Sequence, residues 1–110
     1  MKNTPRKKAS RVPPQLIGIL ADAVAIGATA FRLEPNPPHI MASFGAGSRA
    51  TEIDFEAWSG QEMMRFLADQ VTDAKNKTGQ FEVECDGKRY ACRVVLDQTR
   101  GAKQAKVTWT

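Results

Sequence analysis

Between residues 15 and 26 the apolar positions fall at 16, 17, 19, 20, 23, 24 and 26, the spacing of a helix with a wide apolar face. Pro13 and Pro14 suit its entrance, where a missing N–H has no intrahelical partner to lose. Gly27 suits its exit, where the backbone turns left-handed. The period then changes. Residues 30–33 predict a short strand, and Pro35, Pro37 and Pro38 predict an extended loop without regular pairing. Residues 40–44 put Ile40, Ala42 and Phe44 on one face, and Gly45-Ala46-Gly47-Ser48 reads as a turn. Residues 49–55 alternate again, with Thr51, Ile53 and Phe55 opposite Glu52 and Asp54, so the two runs predict a hairpin.

Ser59-Gly60-Gln61-Glu62 has the form of a capping box, and Met63, Met64, Phe66, Leu67 and Val71 follow at core spacing. This second helix is expected to fade over residues 74–77, where lysines suit a helix C-terminus. Asp86-Gly87 between two alternating runs is the clearest hairpin signal in the chain. A two-residue turn sets Cys85 against Lys88, Glu84 against Arg89 and Val83 against Tyr90. Phe81, Val83, Cys85, Tyr90, Cys92, Val94 and Leu96 then share one face, and Glu82, Glu84, Arg89 and Arg93 the other. A turn over residues 99–103 with Gly101, and a last strand over 104–109, complete the order α-β-β-β-α-β-β-β. With neither internal repeats nor βαβ alternation, this predicts an α+β domain, an antiparallel sheet with two helices.

The net charge of +4 is unevenly spread. Lys2, Arg6, Lys7, Lys8 and Arg11 precede Val12 with no acid among them. Without these five, eleven basic residues face twelve acidic ones, a net of −1. Residues 1–14 therefore read as a basic flexible tail, and residues 15–110 as one folded module. The tail serves as a solubilising leader or as an electrostatic hook for nucleic acid, anionic lipid or an acidic partner. No apolar run approaches the roughly 18–20 residues that span a bilayer. Pro13, Pro14 and Gln15 stand where a signal peptide needs an apolar run, so the expected location is cytoplasmic.

Candidate chemistry is sparse. In this register Cys92 lies opposite Phe81, four residues up the strand from Cys85. At about 3.3 Å per residue that is beyond the roughly 7 Å a disulfide allows between Cα atoms, so both cysteines read as small buried residues. His39 stands alone at a loop-to-strand junction and makes neither a zinc site nor a catalytic pair. Gly45-Ala46-Gly47-Ser48 is followed by Arg49 and an alternating run, whereas a P-loop needs Gly-Lys-Ser/Thr opening a helix. Without a P-loop, the Walker-B-like Arg93-Val94-Val95-Leu96-Asp97 carries no weight. No metal, no cofactor and no enzymatic activity are expected. Trp58 reads as a cap on the core edge, and Trp109 as either such a cap or a partner-binding anchor.

Residues 25–35, Ala-Ile-Gly-Ala-Thr-Ala-Phe-Arg-Leu-Glu-Pro, resemble the "A-I-x-x-G-A-S-D-I-H-I-E-P" segment of the type II secretion and type IV pilus ATPases, in the domain that precedes their RecA-like motor. The resemblance extends over about residues 15–110. A strand pair follows the Glu-Pro, then a helix, then a Gly-x-Phe hairpin. Tyr90-Ala91-Cys92-Arg93-Val94 stands where the family has "R-x-R-V". It implies a PAS-like fold. Thr29-Ala30 and Arg32 replace the family's Ser-Asp and His, and residues 40–48 hold neither the Arg nor the Asp of its nucleotide-contacting strand. The 110 residues contain no Walker A and no motor. The resemblance therefore implies a non-catalytic protein-interaction module whose partner is a motor ATPase or a second copy, with Arg32, Glu34, Arg93 and Trp109 as partner-binding residues. The alternative is a small nucleic-acid-binding protein anchored by Lys2, Arg6, Lys7, Lys8 and Arg11. A nucleotide sensor using Arg32 and Arg93 is a third, weaker reading.

Overall fold

The computed structural model describes residues 12–99 and 102–110. The basic tail up to Arg11 lies outside the described residues, as do positions 100 and 101 of the last predicted turn. Helix α1 (Pro14–Ala25) starts on Pro13 and buries Leu16, Ile19, Leu20 and Ala23. It ends as its sequence predicts. Gly27 takes φ +84°, its N–H bonds Val24 O at 3.0 Å, and the Ala28 N–H bonds Ala23 O at 2.9 Å. This double closure satisfies carbonyls that the helix leaves open.

Seven strands form one antiparallel sheet in the order β3-β2-β1-β7-β6-β5-β4. They are β1 (Ala30–Asn36), β2 (His39–Ala46), β3 (Arg49–Phe55), β4 (Val71–Asp73), β5 (Thr78–Cys85), β6 (Lys88–Thr99) and β7 (Ala102–Trp109). Helix α2 (Ala57–Asp69) follows β3. The first and last strands pair in the middle of the sheet, Ala30 to Leu33 against Thr108 to Ala105. One face carries Phe31, Leu33, Ala42, Phe44, Val83, Cys85, Cys92, Val94, Ala105 and Val107, all buried. They form a single core with Leu16, Ile19, Leu20 and Ala23 of α1 and Met63, Phe66 and Leu67 of α2. Phe66 meets Phe81 edge-on at 5.2 Å between ring centres. The architecture is α+β, and the β5–β6 register agrees with the predicted one pair by pair.

Four local expectations need correction. First, β1 continues through Pro35 and Asn36, which pair with Ile40 and His39. The Pro37-Pro38 pair, joined by a cis peptide bond, makes a tight turn instead of a long loop. Because β7 accompanies β1 only as far as Leu33, Pro35 stands where one side of the strand has no neighbour to be denied an N–H. Second, α2 begins at Ala57 on Glu56, without a side-chain cap. Ser59 lies inside the helix and is buried. Its hydroxyl accepts from Gln15 Nε2 at 2.8 Å, and Glu62 accepts from the same nitrogen at 2.9 Å. The two side chains of the expected capping box therefore tie α2 to α1.

Third, α2 stops at Asp69, and Val71 belongs to β4, which adds a seventh strand. Asp73 sets the turn that follows. Its carboxylate accepts from the Lys75 and Asn76 backbone N–H groups at 3.1 and 3.0 Å and from Asn76 Nδ2 at 2.9 Å. These bonds, the Asn76 N–H foremost, hold its carboxyl below the ordinary carboxylate value. Fourth, Trp58 does not cap the core. It is 67% exposed on the first turn of α2, because a helix starting at Ala57 turns position 58 away from the apolar stripe of Met63, Phe66 and Leu67.

Gly79 pairs with Val71, and a Cβ at this position would lie 1.9 Å from Gln70 O. Gly79→Ala therefore pushes β4 off the sheet edge and lowers stability by about 1–3 kcal/mol in urea unfolding. Gly18→Ala, in the middle of α1 with nothing within 4 Å, raises it by about 0.5–1 kcal/mol.

Candidate interaction surface

Alternation along the strands fixes what the second face of the sheet presents. One row runs Glu52–Ser43–Arg32–Lys106–Val95–Thr78, each residue directly opposite the next. The adjacent row runs Ala30–Thr108–Arg93–Gln80. Arg32 and Lys106 are thus direct cross-strand neighbours, with Cβ atoms about 4.5–5.5 Å apart. Arg93 lies on the diagonal from Lys106, about 7–8 Å away. All three are exposed, and none is in an ion pair among the described residues. Glu34 shares this face, two positions along β1 from Arg32, and is half-buried.

Elsewhere the same face follows the usual arrangement of opposite charges. Glu84 pairs with Arg89 across β5 and β6, and Arg89 also approaches Glu82 at 3.8 Å. At the Pro37-Pro38 turn, Asp54 Oδ2 lies 2.5 Å from His39 Nδ1, and Asp54 Oδ1 accepts from Asn36 Nδ2 at 3.3 Å. The lone histidine fastens the β1–β2 turn to β3. This contact was not legible in sequence, because it joins residues 15 positions apart.

Of the residues singled out from sequence, Arg32, Glu34 and Arg93 come together on the open face. Trp109 points to the other side, half-buried, its ring 5.9 Å from that of Phe31. Arg93 and Trp109 both border a shallow depression of about 530 Å³ at the end of the sheet, with Phe81, Thr108 and Thr110. Sequence reasoning missed Lys106, whose neighbours depend on the non-local β1–β7 pairing. It also missed the exposure of Trp58, whose indole Nε1 donates to Glu56 Oε2 at 2.8 Å.

Cys85 and Cys92 are both free and buried. Burial raises both thiols, with the Asp86 charge adding to the effect at Cys85, and pushes Cys92 up to about 11. Among the described residues no three of His, Cys, Asp and Glu gather where they could hold a metal ion. Among the described residues no helix is long and apolar enough to cross a membrane. The chain matches no protein-family model and no curated protein.

A thiol that ionises near 9 when unfolded and near 11 when folded contributes stability below pH 9. Between these values the unfolded chain releases a proton that the folded chain keeps, so stability falls as pH rises from about 9 to about 11. Urea titrations at pH 8 and 10.5 should show this fall in the native chain and a smaller one in Cys92→Ala.

Proposed function

We propose that the chain is a non-catalytic protein-interaction module with a PAS-like architecture, related to the domain that precedes the motor of type II secretion and type IV pilus ATPases. It docks on a protein partner in the cytoplasm, a motor ATPase or a second copy of itself. The observation that carries this reading is Trp58, 67% exposed on the first turn of α2.

A large aromatic on a helix, steadied by its bond to Glu56, loses little conformational freedom on binding. Tryptophan also buries more apolar area per residue than any other side chain, which is why it dominates interface energetics. Its surroundings suit docking. Trp58 follows the end of β3, the edge strand of the sheet, whose outer side is unpaired among the described residues. The helix is anchored from below by Met63, Phe66 and Leu67, so the indole is presented from a fixed base. The match of residues 25–35 to the family segment, and the agreement of the helix–three-strand–helix–sheet order with that domain, support the assignment of partner class.

Size-exclusion chromatography with light scattering, and pull-down with a secretion or pilus motor ATPase, test the reading. The native chain should self-associate or be retained. Trp58→Ala should weaken that association at least tenfold with the melting temperature unchanged, since an exposed side chain contributes little to folding. A chain that stays monomeric at high concentration and binds no motor ATPase contradicts it.

A further inference from the structure

We infer that the outer edge of β5 takes up an extended segment of a protein partner as an added strand, one whose side chains alternate apolar and basic. The inference goes beyond the Trp58 reading and uses a different surface. Its first support is a notch in the sheet. β5 has eight residues and β4 three, and β4 accompanies β5 only at Thr78 and Gly79. Asp86 and Gly87, both at positive φ, make the two-residue turn that sets Cys85 and Lys88 as a hydrogen-bonded pair. Counting back along the ladder, Val83 and Phe81 also bond to β6, while Glu84 and Glu82 turn their backbone N–H and C=O groups outward. Among the described residues no strand meets them there. These are the groups through which a sheet accepts one more strand.

The second support is what flanks the notch. A groove of about 790 Å³ opens along residues 82–84, walled by Pro13 and Ile17 at the start of α1 and by Phe66 of α2, with Val83 beside them. An added strand alternates as β5 does. Its residues level with Val83 enter this groove and meet apolar walls. The residues between them lie on the open face, beside Glu82 and Glu84.

The third support selects the charge of the occupant. On the inner side, β6 answers the two acids: Arg89 stands opposite Glu84 and 3.8 Å from Glu82, and Arg93 lies diagonal to Glu82. On the outer side no strand of the described residues sets a cation opposite either. Opposite charges across a ladder stabilise it and like charges destabilise it, so a basic residue fits both places. The α2 wall has the same sign, with Glu62 and Asp69 against the single Arg65. The rule also favours a partner over a second copy, because antiparallel pairing of two β5 edges would set Glu82 and Glu84 against each other.

The test is fluorescence anisotropy of the full chain at low salt with a labelled, capped peptide Val-Lys-Val-Lys-Val-Lys. The controls are Val-Glu-Val-Glu-Val-Glu and two copies of the basic peptide, methylated on the valine or on the lysine backbone nitrogens. The basic peptide should bind and the acidic one should not. Methylation of one set of nitrogens, and not of the other, should weaken binding at least about tenfold, since only one set faces β5. Glu82→Gln with Glu84→Gln should weaken it about 2–30-fold, as two opposite-charge pairs are lost, and Trp58→Ala should leave it unchanged. On binding, the backbone amides of Glu82 and Glu84 should slow in hydrogen exchange, and those of Glu52 and Asp54 on β3 should not. The exchange measurement uses the native chain and so holds if the double variant does not fold. Absence of binding by the basic peptide, equal binding of the acidic one, indifference to both methylations, or protection on β3 in place of β5 overturns the inference. So does binding that appears only when Lys2, Arg6, Lys7, Lys8 and Arg11 are changed to Gln, which would make the chain's own residues 1–11 the occupant.

Discussion

The pairing of β1 with β7 is the constraint on which the rest of this structure depends. It closes residues 30–33 against residues 105–108 and joins two hairpin systems, β1–β2–β3 and β4–β5–β6–β7, into one sheet. Leu33 and Val107 on these strands are fully buried, and together with Phe31 and Ala105 they form the middle of the floor on which α1 lies. Without this seam each half would offer the helices only a narrow apolar strip, too small for a stable core. The same seam determines the opposite face. Because side chains alternate, seating Leu33 beside Ala105 in the core necessarily sets Arg32 beside Lys106 in solvent.

Much of the local structure was legible in sequence. The β5–β6 hairpin could be read pair by pair because Asp86-Gly87 fixes the turn and only one register places all the apolar side chains together. Helix α1 was legible because Pro14 and Gly27 mark its ends and its apolar stripe is wide. The features that were not legible are those where two local solutions compete and a distant residue decides. Ser59 offers a good N-cap, but Gln15 of α1 takes its hydroxyl and the helix starts at Ala57. Val71 continues the helical stripe, but the close backbone approach that Gly79 permits draws it into β4. Pro35 argues against a strand only where both sides of it are paired, and here one is open.

The candidate surfaces divide in the same way. Arg32, Glu34 and Arg93 were identifiable by residue type and by the family resemblance. Their placement on one face follows from alternation once the strand order is known. Lys106 could not be added without the β1–β7 seam. Trp58 leaves the core edge expected of it, and Trp109 takes the first of its two expected environments, both for a geometric reason. The start of α2 rotates Trp58 outward, and the inward face of β7 lays Trp109 on Phe31. The molecule thus presents an exposed aromatic at the head of α2 and, on the open face, a cross-strand Arg32–Lys106 pair that exists because the first and last strands meet.

The most direct measurement of this account is a charge-reversal cycle across the seam, read as unfolding free energy at low salt. If Arg32 and Lys106 are neighbours as described, Arg32→Glu and Lys106→Glu should each stabilise the chain by about 0.2–1 kcal/mol. The double variant, which restores like charges with the sign inverted, should lose that gain. Both effects should shrink as salt screens the pair. Additive single effects, or no effect of either substitution, would contradict the seam.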